Sequence, residues 1–157
     1  MSGPGRGSQD VIGGFNMGGH SELTLLMVDD NTDDIFLTRK LVRKEGIVNN
    51  FISERNPERV IEVLQELSKM GVDENRIMIL LDIKMPRLDG FEVLKKIREN
   101  EKFKDLPVIM LSSSDDEADM FEALELGASG YVVKPFRGDE FFAALSNVKQ
   151  VKHQLVQ

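Results

Sequence analysis

The sequence predicts an α/β fold in which five parallel strands carry helices on both faces. From Leu23 onward, short apolar runs of strand length alternate with longer amphipathic segments. Strands buried on both faces read as unbroken apolar runs, and the segments between them repeat at helical spacing. Most of the helical segments are also bracketed by capping residues and glycines.

The first strand is read at Leu23 to Val28, followed by a helix capped by Thr32, with apolar positions Ile35, Leu37, Leu41 and Val42 and an end near Gly46. Phe51 and Ile52 mark a weak second strand. Asn56 and Pro57 supply a cap and a first-turn proline for a helix carrying Val60, Ile61, Leu64 and Leu67 and closing at Gly71. Ile77 to Leu81 is the third strand, and a loop through Pro86 leads to a helix with Phe91, Leu94 and Ile97. Val108 to Leu111 is the fourth strand. Ser114 with Glu117 has the form of a capping box for a helix carrying Phe121 and Leu124, closed by Gly127. Tyr131 to Val133 forms the fifth strand, and the last helix carries Phe141, Leu145 and Val148.

Composition narrows the function. The 157 residues suit one domain. With no cysteine, disulfides, thiolate metal sites and cysteine nucleophiles are excluded, and the composition is compatible with a reducing cytoplasm. A net charge of -7 disfavours direct nucleic-acid binding, which draws on lysine and arginine to displace counterions, so proteins are the expected partners. No apolar run approaches the roughly 20 residues that span a bilayer, and no membrane association is expected. Residues 1–20 hold seven glycines and no hydrophobic periodicity, so they read as a flexible glycine-rich tail or tag, with Met17 a candidate original start and His20 a linker residue; 21–157 is the folded domain.

Ligands of an open parallel sheet bind beyond the carboxyl ends of its strands, where strand order reverses. There the sequence places Asp29 and Asp30 after strand one, Asp82 after strand three, Ser112 at strand four and Lys134, followed by Pro135, after strand five. Carboxylates gathered in one place repel unless a cation offsets them, and an oxygen-only site suits magnesium, which keeps several waters and admits phosphate oxygens. A central carboxylate can attack phosphorus to give an acyl phosphate while cations neutralise the outer oxygens. Met78, Met85 and Met110 are read as packing or loop residues.

The stretches LLMVDDN, ILLDIKMPRLDGFEVL, PVIMLSSS and GASGYVVKPF, in this order, resemble the receiver domain of two-component response regulators, from Leu23 to about Gln150. The resemblance implies a flavodoxin-like sheet of order 2-1-3-4-5. It implies Asp82 as phosphoacceptor, magnesium held by Asp30, Asp82 and the backbone carbonyl of Lys84 with Asp29 acting through water, phosphoryl sensing by Ser112 and Lys134, and Tyr131 as the aromatic that turns with Ser112 on activation. It further implies a cytoplasmic protein that is no enzyme beyond its own phosphorylation and dephosphorylation. The phosphoryl donor is a histidine kinase or histidine phosphotransfer protein, and the signal passes to a protein partner, or to a second copy of the chain, through residues 115–150. A receiver excised from a larger regulator or kinase fits the same residues. A magnesium-dependent phosphatase of the haloacid dehalogenase type fits poorly, because the position two residues after its nucleophile needs an aspartate and here is Lys84.

Overall fold

A computed structural model describes residues 11–12, 15–16, 23–46, 48, 50–113, 116–135 and 137–148. Five strands form one parallel sheet: β1 (Thr24–Val28), β2 (Asn50–Glu54), β3 (Ile77–Asp82), β4 (Val108–Ser112) and β5 (Gly130–Val133), in spatial order 2-1-3-4-5. Between and after them lie α1 (Thr32–Glu45), α2 (Val60–Lys69), α3 (Gly90–Glu99), α4 (Glu117–Glu125) and α5 (Gly138–Ser146). The fold is the flavodoxin-like arrangement expected. Within residues 1–20, Val11–Ile12 pair antiparallel with Phe15–Asn16; Met17 and His20 lie outside the described residues.

Period-two alternation divides the sheet into two cores. Leu25 and Met27 of β1 and Met78 and Leu80 of β3 pack with Ile35 and Val42 of α1 and with Phe141 and Leu145 of α5. Leu26, Val28, Ile79, Leu81 and Met110 face the other way, onto Val60 and Leu64 of α2, Leu94 and Ile97 of α3 and Ala123 of α4. β1 and β3 are buried along their whole length, as their unbroken apolar sequence requires.

Several local expectations are corrected. Asn31, not Thr32, caps α1: its side chain accepts the N–H groups of Asp33 and Asp34. The cap of α4 is Asp116, whose carboxylate accepts the Ala118 N–H; Ser114 lies outside the described residues. Leu37, Phe121 and Leu124, read as apolar positions of α1 and α4, are each more than 60% exposed. Among the described residues Ala123 is the one buried side chain of α4. That helix is tied to the rest at its far end by Arg98, which donates to the Gly127 carbonyl from Nε at 3.0 Å and Nη2 at 2.7 Å, and from Nη1 to the carbonyls of Lys104 and Leu106. The asparagine-proline start behaves as expected, with Asn56 capping a short 3-10 turn at Pro57–Arg59 that leads into α2.

Gly90 sets the start of α3 against the end of β3. Asp89 and Glu92 form a reciprocal capping box there, and the Gly90 N–H donates to the Ile83 carbonyl at 2.7 Å. A Cβ on residue 90 would collide with the Asp82 carbonyl oxygen and stand 2.8 Å from the Ile83 Cα. Both are backbone atoms and cannot turn aside. Gly90→Ala is expected to cost about 1–3 kcal/mol, the usual range for overpacking, read as a lower urea midpoint at unchanged slope; an unchanged midpoint would contradict this close approach.

Candidate functional site

The site is assembled from strand ends. The ladder runs one residue past β3 and β5, with Ile83 N–H donating to Leu111 O at 3.0 Å and Lys134 N–H to Ser112 O at 2.7 Å. Alternation sends Asp29, Asp82 and Lys134 to the α1 and α5 side of the sheet, because they continue the sets of Leu25 and Met27, Met78 and Leu80, and Val132. Ser112 instead continues the set of Met110 on the opposite side, which it shares with Tyr131 through the register Met110 to Tyr131 and Ser112 to Val133. Asp30, half-buried, begins the turn into α1, and Lys84 is exposed in the loop after β3. Tyr131 is half-buried against the α2 and α3 core.

One carboxylate oxygen from each of Asp29, Asp30 and Asp82 lies within 4.8 Å of the others. Asp29 is fully buried and Asp82 nearly so. The Lys134 ammonium binds Asp29 Oδ2 at 2.7 Å, Asp34 Oδ2 at 2.9 Å and Asp82 Oδ1 at 3.3 Å. The other oxygen of Asp29 accepts the Asn31 N–H at 2.9 Å. Three acidic oxygens at this spacing, partly wet through Asp30, fit a hard divalent cation that keeps several waters. The Lys134–Pro135 peptide bond is cis.

Burial, and after it the neighbouring Asp29 carboxylate, push the Asp82 pKa up to about 7; Lys134 opposes them and Asp30 adds to them. Burial alone would lower the Lys134 pKa, but hydrogen bonds to Asp29 and Asp34 and the charges of Asp29 and Asp82 outweigh it and raise the value. The protein alone thus leaves the Asp82 charge incompletely compensated.

The structure brings together Asp29, Asp30, Asp82 and Lys134 as the sequence reading expected. It adds Asp34, whose contact spans 100 residues of chain and left no local signal. Asp34 and Lys134 also form one wall of a pocket of about 250 Å³ completed by Leu37, Thr38, Leu41 and Pro135.

Comparison with known proteins agrees with this geometry. The response regulator receiver domain matches residues 25–146. The chain belongs to the response regulator receiver family. Chemotaxis protein CheY1 of Helicobacter pylori is 29% identical over 117 residues, covering 73% of this chain and 86% of that one. The transcriptional regulatory protein CpxR of Escherichia coli is 32% identical over 129 residues, which is 82% of this chain and 50% of CpxR. The chain thus spans about half the length of that regulator. Among solved structures, the bacteriophytochrome response regulator RtBRR superposes with a TM-score of 0.71 at 32% identity, covering 81% of this chain and 78% of that one. Among the described residues of this receiver domain, no helix is long and apolar enough to cross a membrane.

The raised Asp82 pKa has a consequence for stability. Between about 4, the value in the unfolded chain, and about 7, the folded state holds a proton that the unfolded state has lost, so stability falls as pH rises through that window and stays lower above it. Asp82→Asn removes the effect. Without divalent cations, the variant is expected to match the wild type near pH 4 and to exceed it at pH 8 by up to about 4 kcal/mol, measured by urea unfolding; a difference that stays constant with pH would contradict the buried acid.

Proposed function

We propose that this receiver domain accepts a phosphoryl group on Asp82 from a histidine kinase or histidine phosphotransfer protein and passes the signal to a protein partner. The observation that carries the reading is the Asp82 carboxylate itself, nearly buried at the end of a central strand, between the Asp29 carboxylate and the Lys134 ammonium at 3.3 Å. Such a group is poorly compensated while free and gains by sending its charge outward onto a phosphoryl group.

In the transfer, an Asp82 oxygen forms a bond to phosphorus as the bond from phosphorus to the donor's imidazole nitrogen breaks, the electron pair leaving with that nitrogen. The Lys134 ammonium lies where it can follow the charge to a phosphoryl oxygen, a charge-assisted hydrogen bond. Magnesium held by Asp30, Asp82 and the Lys84 carbonyl, with Asp29 acting through water, would neutralise the remaining phosphoryl oxygens and hold them in line. Ser112, at the end of the neighbouring strand, approaches from the opposite side of the sheet and supplies a hydroxyl donor there.

The signalling step rests on Ser112 and Tyr131 sharing a face beneath α4. Phosphate brings about -1.5 to -2 charge and strong acceptor oxygens. Its bond to Ser112 biases a two-state loop, and Tyr131 turns inward beside β4. With Ala123 the one described buried side chain of α4, that helix has little packing to hold it. Phe121, Leu124 and Phe142 are exposed on α4 and α5, which suits the 115–150 region to a protein partner or a second copy of the chain.

With magnesium and acetyl phosphate, the wild type is expected to gain one phosphate by intact mass and Asp82→Asn none. Phosphate uptake by Asp82→Asn would overturn the assignment. Asp30→Asn is expected to weaken magnesium binding in a direct titration, and unchanged affinity in both Asp30→Asn and Asp82→Asn would remove the metal site. Under beryllofluoride, chemical-shift changes are expected to reach residues 116–148 through Ser112 and Tyr131; changes confined to the loops around Asp82 would leave the acceptor standing and remove the switch.

A further inference from the structure

An ammonium has three protons to donate, and on Lys134 all three face carboxylates. Asp29 is held in place independently: it is fully buried and its second oxygen accepts the Asn31 N–H. Asp34 is different. Its side chain is 32% exposed, so burial does not force the contact, and it stands outside the cluster of Asp29, Asp30 and Asp82 that gathers oxygens within 4.8 Å. It is placed by the first turn of α1, where its N–H donates to the Asn31 side chain at 3.1 Å. Yet its bond to the ammonium, at 2.9 Å, is shorter than the bond from Asp82 at 3.3 Å.

We propose that Asp34 is a positioning residue for phosphoryl acceptance, one that draws the Lys134 ammonium away from Asp82 and must yield one of its N–H bonds to the transferring group. The inference rests on Asp82 being the phosphoacceptor. As an Asp82 oxygen bonds to phosphorus, the bond from phosphorus to the donor breaks, to the imidazole nitrogen of a phosphohistidine or the carboxylate oxygen of acetyl phosphate, and the electron pair leaves with that atom; negative charge on the phosphoryl oxygens is now carried beside Asp82. The ammonium has to follow it. Asp29 cannot move with it, and Asp34 holds a competing charge on the solvent side. Asp34 therefore restrains the rate at which the group is taken up, and it couples the first turn of α1 to the state of Asp82.

Asp34→Asn removes the charge and keeps the shape, and the cap survives because Asn31 binds the backbone N–H of residue 34. The test is the rate of phosphate uptake from acetyl phosphate at saturating magnesium, followed by intact mass in four versions of the 157-residue chain: wild type, Asp34→Asn, Lys134→Ala and the double variant. Asp34→Asn is expected to react roughly two- to fivefold faster than wild type, the range an ion pair of this exposure supports, and to change nothing when Lys134 is already alanine. A rate that is unchanged or slower in Asp34→Asn, or an equal acceleration in both backgrounds, would show a structural or general electrostatic effect and overturn the role of Asp34 alone. A wild-type chain that takes up no phosphate overturns the phosphoacceptor reading and this inference with it.

Discussion

One ammonium holds the site together. Two carboxylates, Asp29 and Asp82, are withdrawn from water at the ends of β1 and β3, and an isolated buried charge costs far more than a surface one. Lys134 reaches both from the end of β5 and takes a third acid, Asp34, on its solvent side. A single cation cannot neutralise so many acids. Burial and the Asp29 charge raise the Asp82 pKa to about 7, and in the proposed function a divalent cation and a phosphoryl group would relieve that excess of negative charge.

The sheet explains why these residues meet although 105 residues separate Asp29 from Lys134. Because β1 lies between β2 and β3, the connections on its two sides diverge and leave a crevice at the carboxyl ends, where an open α/β sheet presents its ligand site. Strand alternation then sorts the side chains. The acids and the ammonium open toward α1 and α5, whereas Ser112 and Tyr131 open toward α4. In the proposed function a charge placed on Asp82 would be met by the lysine on one face of the sheet and by the serine on the other. Gly90 keeps the start of α3 close against the backbone of Asp82, so that residue is fixed from behind.

Much of this was legible in the sequence, and the parts that were not share a physical reason. The strands were plain because burial on both faces leaves unbroken apolar runs, and Asp29, Asp30, Asp82, Ser112 and Lys134 were plain because each ends one. Helical periodicity, by contrast, marks an apolar stripe without saying what covers it. Leu37, Phe121 and Leu124 keep helical spacing and yet face outward. Caps were displaced by one or two residues where short polar residues run together, as at Asn31 and Thr32 or Ser114 and Asp116. Asp34 was invisible because its meaning lies in the rotational phase of α1 and the reach of a lysine 100 residues away.

Asp29, Asp34 and Asp82 bind the same ammonium and Asp30 lies beside two of them, and the most direct measurement of the proposed function asks which of these four acids would carry the phosphoryl group. After exposure to acetyl phosphate and magnesium, borohydride reduces an acyl phosphate to the alcohol and marks its aspartate as homoserine, which tandem mass spectrometry locates. Homoserine at position 82 alone is the expected result. Homoserine at 29, 30 or 34, or at none of the four in a chain that has gained phosphate, would contradict Asp82 as the acceptor.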